Sequence, residues 1–148
     1  MEEIKVMLDK GAIMPTRAHE DDAGLDLYTP EDFGLGFVNE GDVNRVIDGV
    51  DSYIGVHVEI PKGYVGMLKS KSGLNVKYGI ISEGVIDAGY TGGIKVKLYS
   101  LDGEITHFKR GDKISQLVIM PIVTPEPKLV EEFAATERGN NGFGSTGR

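Results

Sequence analysis

The chain has no cysteine and no tryptophan. Without thiols there is no disulfide framework, no thiol nucleophile and no cysteine zinc site, a composition that fits a reducing compartment. The three histidines, His19, His57 and His107, stand singly along the chain, unlike the clustered ligands of a metal cage. Basic charge is scarce as well: 16 lysines and arginines against 23 acidic residues leave a net charge of −7. Proteins that grip phosphate backbones are normally basic, so no stable nucleic-acid binding is expected, and any bound phosphate must be met by local cations. Long apolar runs are missing too, since no stretch approaches the ~20 apolar residues of a membrane helix. The N-terminus, MEEIKVMLDKG, carries acids where a secretory signal has a basic region and an apolar core. The chain therefore reads as a soluble intracellular protein, cytoplasmic and without a membrane partner.

What the chain has in abundance is glycine, 21 residues and about twice the usual share. With turn residues recurring roughly every eight to twelve positions, this is the punctuation of an all-β sandwich or barrel, and helical periodicity is nearly absent. A chain of 148 residues is one domain long and buries about 68–70% of its unfolded surface around a single core. Strands are predicted at Ile4 to Leu8, Leu25 to Tyr28, Ile54 to Ile60, Tyr64 to Lys69, Ile94 to Tyr99, Ile105 to Phe108 and Ile114 to Ile122. Within Ile94 to Tyr99, Ile94, Val96 and Leu98 face the core while Lys95, Lys97 and Tyr99 face away, the pattern of a half-buried antiparallel strand. Ile114 to Ile122 is apolar on both faces, which calls for a central place in a sandwich or cover from another subunit. One helical turn is predicted over Ser72 to Tyr78, with Ser72 as its cap. Glu31 to Asp51, acidic and glycine-rich, reads as a long loop or irregular hairpin, and there is no internal repeat. Beyond Pro125 and Pro127, KLVEEF still offers apolar residues to dock, but Ala134 to Arg148 offers almost none. Residues 1–133 are thus expected to form the β domain and 134–148 a flexible arm.

Five segments combine residues able to carry chemistry. In the arm, Arg138 precedes GNNGFGSTG, which sets Phe143 among glycines just before Ser145 and Thr146; glycine-rich backbone presents N–H groups to an anion and arginine adds a forked cation. Disorder alone would explain the glycines but not the rest. Ser70-Lys71-Ser72-Gly73-Leu74 places hydroxyls, a cation and free N–H groups at a helix start, a sensible anion site or simply a turn after a strand. Gly84-Val85-Ile86-Asp87-Ala88-Gly89-Tyr90-Thr91-Gly92-Gly93 holds one carboxylate and one aromatic among glycines that let a ligand approach the backbone. Asp87 there either orients a water or satisfies its own turn. Asp26, between Leu25 and Leu27, is ordinary if it points outward and must be paired with a cation if it is covered. Arg110-Gly111-Asp112-Lys113-Ile114-Ser115-Gln116-Leu117 is a turn entering a strand, with Gln116 the one clearly polar amide in an apolar run.

In this order and spacing, AGLDL, SKSGL, GVIDAGY, RGDKISQL and RGNNGFGSTG resemble the five motifs of the trimeric dUTP pyrophosphatase (dUTPase) family, and they span Ala23 to Gly147. The resemblance implies a jelly-roll-like β fold and a homotrimer with sites between subunits. It implies hydrolysis of dUTP to dUMP and pyrophosphate, which keeps uracil out of DNA and supplies dUMP for thymidylate synthesis. Under it, Asp87 is the general base that orients the water attacking the α-phosphorus, and Tyr90 lies against the deoxyribose. Uracil is read by backbone groups of Gly84, Val85 and Ile86, with the strand near Lys95 closing the slot. Lys71, Ser72, Gly73 and Gln116 hold phosphates; Arg138, Gly144, Ser145 and Thr146 close over the γ-phosphate, and Phe143 stacks on uracil. Magnesium is held chiefly by the triphosphate, with Asp26 contributing through water, which also accounts for an acidic chain binding a polyanion.

Three departures from the family pattern stand out. Ser70-Lys71-Ser72 replaces the usual Pro-Arg-Ser, a point charge where the family has a bidentate fork. Gly89 stands where many members carry a second acid before the tyrosine. Glu31 to Asp51 is longer than the family requires. A related enzyme, dCTP deaminase, shares the aspartate, glycine and aromatic pattern of the third motif but places a glutamate on the following strand, where this chain has Lys97. A noncatalytic nucleotide-binding regulatory β module is the alternative from another class, and it leaves Asp87 without a purpose.

Overall fold

A computed structural model describes residues 3–40, 43–47 and 52–147, those from 37 to 52 by their backbone alone. Short runs of branched and aromatic residues between glycine and proline turns favour strands, and strands predominate. In chain order they are β1 (Lys5–Leu8), β2 (Gly24–Tyr28), β3 (Phe33–Glu40), β4 (Val43–Ile47), β5 (Ser52–Tyr53), β6 (Val56–Glu59), β7 (Tyr64–Lys69), β8 (Ile80–Ile86), β9 (Lys95–Val96), β10 (Leu98–Ser100), β11 (Thr106–Phe108) and β12 (Lys113–Pro121). The one helix among the described residues, α1 (Ser72–Tyr78), links β7 to β8. Gly79 ends it in the left-handed region at φ 60° and ψ 27°, where its N–H reaches the Asn75 carbonyl at 3.0 Å, a stop that only a residue without Cβ makes at little cost.

A five-stranded antiparallel sheet runs in the order β10-β8-β7-β12-β2. A three-stranded sheet β11-β3-β4 and the pairs β1-β6 and β5-β9 complete the fold. All four contribute to one core. Leu27 and Leu117 of the large sheet, Leu35 and Phe108 of the three-stranded sheet, Val58 of β6 and Val96 of β9 belong to a single buried cluster. Burying each such side chain stabilises the fold by about 1.5–3 kcal/mol. The expected all-β, single-core sandwich is therefore the architecture observed.

Several elements differ from expectation. Ile94, Val96 and Leu98 are buried as the alternation predicts, but the segment divides into β9 and β10, which pair with β5 and β8 in different sheets. Ser72 does not cap α1: the cap residue is Lys71, in extended conformation and without a side-chain cap bond, and Ser72 is the first helical residue. Part of Glu31 to Asp51 forms the antiparallel hairpin β3-β4, while residues 41, 42 and 48–51 lie outside the described set. The two-sided apolar strand β12 lies centrally in the large sheet, between β7 and β2, and its exposed apolar residues are at its far end, Met120 and the following Ile122.

Candidate active site

Four of the five candidate segments meet through the large sheet. Asp26 on β2 pairs in register with Gln116 on β12, Gln116 with Lys69 on β7, and Lys69 with Glu83 on β8. Paired residues of antiparallel strands present their side chains to the same face, so these form one polar row. Lys69 and Glu83 close its outer end as an ion pair at 2.6 Å.

Asp26 is covered rather than outward, only 3% exposed, and it has the cations such burial demands. One carboxylate oxygen pairs with Lys71 Nζ and the other with Lys113 Nζ at 2.8 Å. Burial pushes the Asp26 carboxyl up, but the hydrogen bonds and charges of Lys113 and Lys71 outweigh it and hold it below the usual carboxylate range. The same contact raises the Lys113 ammonium. Lys113 reaches this face because of a bulge: β12 slips register between Lys113 and Ser115, with Lys113 opposite Tyr28 and Ser115 opposite Leu27. Lys113 and Gln116 are an odd number of residues apart and would face opposite sides of a regular strand. The extra residue, Ile114, turns Lys113 back to the Asp26 side while sinking its own side chain into the core. No feature of the RGDKISQL string marks Lys113 as a partner of Asp26, because a bulge has no local signal there.

A serine ladder fixes the turn that carries Lys71. The Ser70 hydroxyl accepts from the Ser82 N–H at 2.9 Å and donates to the Ser82 carbonyl, a side chain continuing the ladder beyond the end of β7. Buried Ser115 donates to the Lys69 carbonyl at 3.1 Å, which leaves the Ser82 hydroxyl to donate to Ser115 at 2.9 Å. Gln116 donates its amide to the Ser70 carbonyl at 2.9 Å, and its side chain fills the space over Gly24, where any Cβ would collide with the amide oxygen. The first, second and fourth segments are thus locked to one another. Ser72 and Gly73 stand exposed at the start of α1, and a Cβ at Gly73 would have nothing within 4 Å.

The third segment begins on β8. Gly84 packs against Leu68, Ile86 is buried, and Val85 is exposed. Asp87 follows at the exposed end of the strand, its carbonyl accepting from the Tyr90 N–H at 3.1 Å in a turn completed by Gly89 at φ 93°. Tyr90 is half exposed and donates its hydroxyl to the Gly93 carbonyl at 3.1 Å. Lys95 opens β9, exposed and opposite Tyr53. Behind the turn lies a group that motif reading missed, Asp9, Tyr53 and His57, with His57 donating to the Thr91 carbonyl at 2.8 Å. Asp9 is 48 residues from His57, and no local pattern links them.

The arm residues stay apart from these in the single chain. Arg138 turns back on its own segment to donate to the Asn141 carbonyl at 2.9 Å. Phe143, at φ 44°, is fully exposed, and Gly144, Ser145 and Thr146 follow it in an exposed turn. Among the described residues no three His, Cys, Asp or Glu side chains gather into a metal-holding group, and no helix is long and apolar enough to cross a membrane.

Comparison with known proteins shows the family. The dUTPase family model matches residues 10–147. The chain is 40% identical over 150 residues to the deoxyuridine 5'-triphosphate nucleotidohydrolase of Clostridium kluyveri, covering 99% of both. It is 36% identical to that of Clostridium novyi, covering 97% of this chain and 99% of the relative. Among solved structures, the dUTPase of Staphylococcus bacteriophage 80alpha with dUpNHpp superposes with a TM-score of 0.80 at 36% identity, covering 100% of each chain. A dUTPase variant from phage phi11 of S. aureus, described with a structural Mg(II) ion, superposes at 0.72 with 33% identity, covering 88% of this chain and 98% of that one.

Proposed function

This chain belongs to the dUTPase family, and we propose that it catalyses attack of water on the α-phosphorus of dUTP, releasing dUMP and pyrophosphate. The observation that carries the reading is the convergence of the first, second and fourth segments on the Asp26, Lys71 and Gln116 constellation, with Asp87 at the end of a strand of the same sheet. A binding module would need the phosphate contacts, but it has no use for an exposed carboxylate held beside a glycine-flanked turn.

In the proposed reaction, Asp87 accepts a proton from the attacking water as the new oxygen–phosphorus bond forms. The bond from the α-phosphorus to the bridging oxygen breaks, and pyrophosphate leaves with the electron pair. The backbone of Gly84, Val85 and Ile86 reads the uracil edge, Lys95 closes the slot, and the Tyr90 ring lies against the sugar. Ser72, Gly73 and Gln116 hold phosphate oxygens. Lys71, anchored by Asp26, supplies positive charge to the same region. The arm, residues 134–148, closes over the nucleotide, with Arg138, Gly144, Ser145 and Thr146 on the γ-phosphate and Phe143 stacked on uracil.

Magnesium fits as an ion held by the substrate. Among the described residues no three His, Cys, Asp or Glu side chains form a cage for it, and both Asp26 oxygens face ammonium groups, so the triphosphate would supply most of its ligands, with Asp26 contributing through water. When bound, it neutralises and orients the triphosphate. The active form is proposed to be a homotrimer with each site completed between subunits, which would bring the arm of one copy to the sheet of another.

Pyrophosphate release measured across dUTP, dCTP, dTTP and UTP, with ammonia monitored for dCTP, tests the reading. Turnover of dUTP alone is the expected result. Equal turnover of UTP, or release of ammonia, overturns it.

A further inference from the structure

The turn that carries Tyr90 has no secondary structure of its own between β8 and β9, yet it must hold an aromatic ring in place to within fractions of an ångström if that ring is to reject a ribose. The segment from Tyr53 to His57 braces it from behind. Ile54 N–H donates to the Ile94 carbonyl at 3.1 Å, Ile94 N–H donates to the Val56 carbonyl at 2.8 Å, and Tyr53 pairs with Lys95 across β5-β9. To these backbone ties His57 adds a side-chain one. Its Nδ1 lies 2.8 Å from the Thr91 carbonyl oxygen, an acceptor only, so Nδ1 carries a proton, and because Nε2 faces an Asp9 carboxylate oxygen, also an acceptor, the ring makes both contacts as the imidazolium.

Nε2 of His57 lies 3.1 Å from Asp9 Oδ1, and the Tyr53 hydroxyl donates to Asp9 Oδ2. One carboxylate therefore fixes the orientation of both rings. The His57 side chain is only 16% exposed, well covered for a group on an outer strand. The directions of titration agree with the geometry: the Thr91 carbonyl and then Asp9 raise the imidazole, and the Tyr53 hydroxyl and then His57 lower Asp9.

Both tyrosines converge on two glycines. The Tyr90 ring folds over Gly92, where a Cβ would sit 2.5 Å from its hydroxyl oxygen, and that hydroxyl donates to the Gly93 carbonyl at 3.1 Å. The Tyr53 ring lies directly on Gly93, so close that any Cβ would collide with it. Neither glycine is needed for a left-handed backbone. Both are needed so that the two rings can press on the same dipeptide.

We propose that Asp9, Tyr53 and His57 form a positioning cluster that sets the ring of Tyr90 through the Thr91 to Gly93 backbone and thereby determines discrimination between deoxyribose and ribose. The inference rests on the role of Tyr90 proposed above. All three act through Tyr90 rather than on substrate, so their removal should change selectivity more than it changes turnover of dUTP.

The test compares kcat/KM for dUTP and UTP in wild type, Tyr53→Phe, His57→Ala and His57→Asn, with thermal midpoints recorded for each. The asparagine amide can replace the Nδ1–H donor to Thr91, so His57→Asn should keep most of the selectivity. His57→Ala and Tyr53→Phe should lower the dUTP to UTP ratio by about tenfold or more, because a displacement of the order of 1 Å away from the chemistry is worth that much. A cluster that merely supports the fold would slow both nucleotides alike, and an unchanged ratio in Tyr53→Phe and His57→Ala overturns the proposal. Tyr53→Phe keeps the ring and removes one oxygen, so it decides the matter by itself if His57→Ala fails to fold. Failure of the wild type to hydrolyse dUTP would instead overturn the functional reading on which the proposal stands.

Discussion

Asp26 and Lys71 are 45 residues apart and meet as an ion pair in the interior of the sheet, with Lys113 on the other carboxylate oxygen. Removing one member of a fully buried pair costs about 3–5 kcal/mol. Here the two ammonium groups retain partial access to water and can swing out. The cost of Asp26→Asn should therefore fall to about 1–3 kcal/mol, the penalty for weakening a buried polar contact. A carboxyl held below its ordinary value of 3.8 contributes stability that is complete above that value and lost as pH falls through the lowered one. The gap in urea midpoint between wild type and Asp26→Asn should be constant above about pH 5 and should close in the acid limb. A gap that persists at the lowest pH where the protein stays folded would mean the lysines are not what Asp26 serves.

Gly24→Ala isolates the Gln116 contact. The added methyl would occupy the position of the Gln116 amide oxygen and break the bond to the Ser70 carbonyl, with no change of backbone region. Overpacking of this kind destabilises by about 1–3 kcal/mol. On the proposed function it should also raise KM for dUTP more than it lowers kcat, since Gln116 holds ground-state phosphates. Steady-state kinetics beside a urea titration checks both halves, and an unchanged KM would remove Gln116 from the phosphate site.

On the proposed function, Asp87→Asn keeps size and hydrogen bonding and deletes the proton acceptor. General-base catalysis is worth about 10²–10⁴-fold, so kcat should fall by that much while nucleotide binding, measured by calorimetry, stays close to wild type. Turnover within a factor of a few of wild type would move the base elsewhere.

How far these sites could be read from the sequence depends on the range of the physics involved. Local chemistry was legible. Tyr64–Lys69 and Ser72–Tyr78 fall where alternation and turn residues place them, and the buried side of Ile94, Val96 and Leu98 follows from period-two patterning alone. Whether Asp26 was covered could not be decided locally, because its cations come from the turn after β7 and from β12. The bulge at Ile114 and the division of Ile94 to Tyr99 between two sheets are register events that arise only when strands pair. The Asp9, Tyr53 and His57 group is hidden for the same reason, being assembled from three segments of which none is a motif.

Assembly can be read from apolar groups left uncovered. Leu129 is 98% exposed and Phe133 90% exposed, both in the irregular, exposed segment beyond β12. Exposing such side chains in a row is unfavourable, and a neighbouring copy could cover them. Light scattering at micromolar concentration should give the mass of a trimer, and Phe133→Asp should shift it toward monomer with loss of activity. A stable, active monomer of the wild type would contradict this.

The arm should contribute to catalysis and little to the fold. Six of the eleven residues from Arg138 to Arg148 are Gly or Asn, and Phe143 packs against nothing in the free chain. Yet Arg138, Ser145 and Thr146 supply charge and hydroxyls suited to a triphosphate, and Phe143 supplies a face for a base. Ordering so glycine-rich a segment costs entropy that only contacts with the nucleotide offset. Deleting residues 138–148 should leave the thermal midpoint of the free protein within a few degrees of wild type, because no buried apolar side chain is lost. Turnover should fall by about 10²-fold or more, since excluding water and fixing the phosphates are tasks of the transition state. Differential scanning calorimetry and the pyrophosphate assay on the same preparation separate the two effects. A truncated chain that hydrolyses dUTP at the normal rate, or one that no longer folds, would show that this segment has a different role.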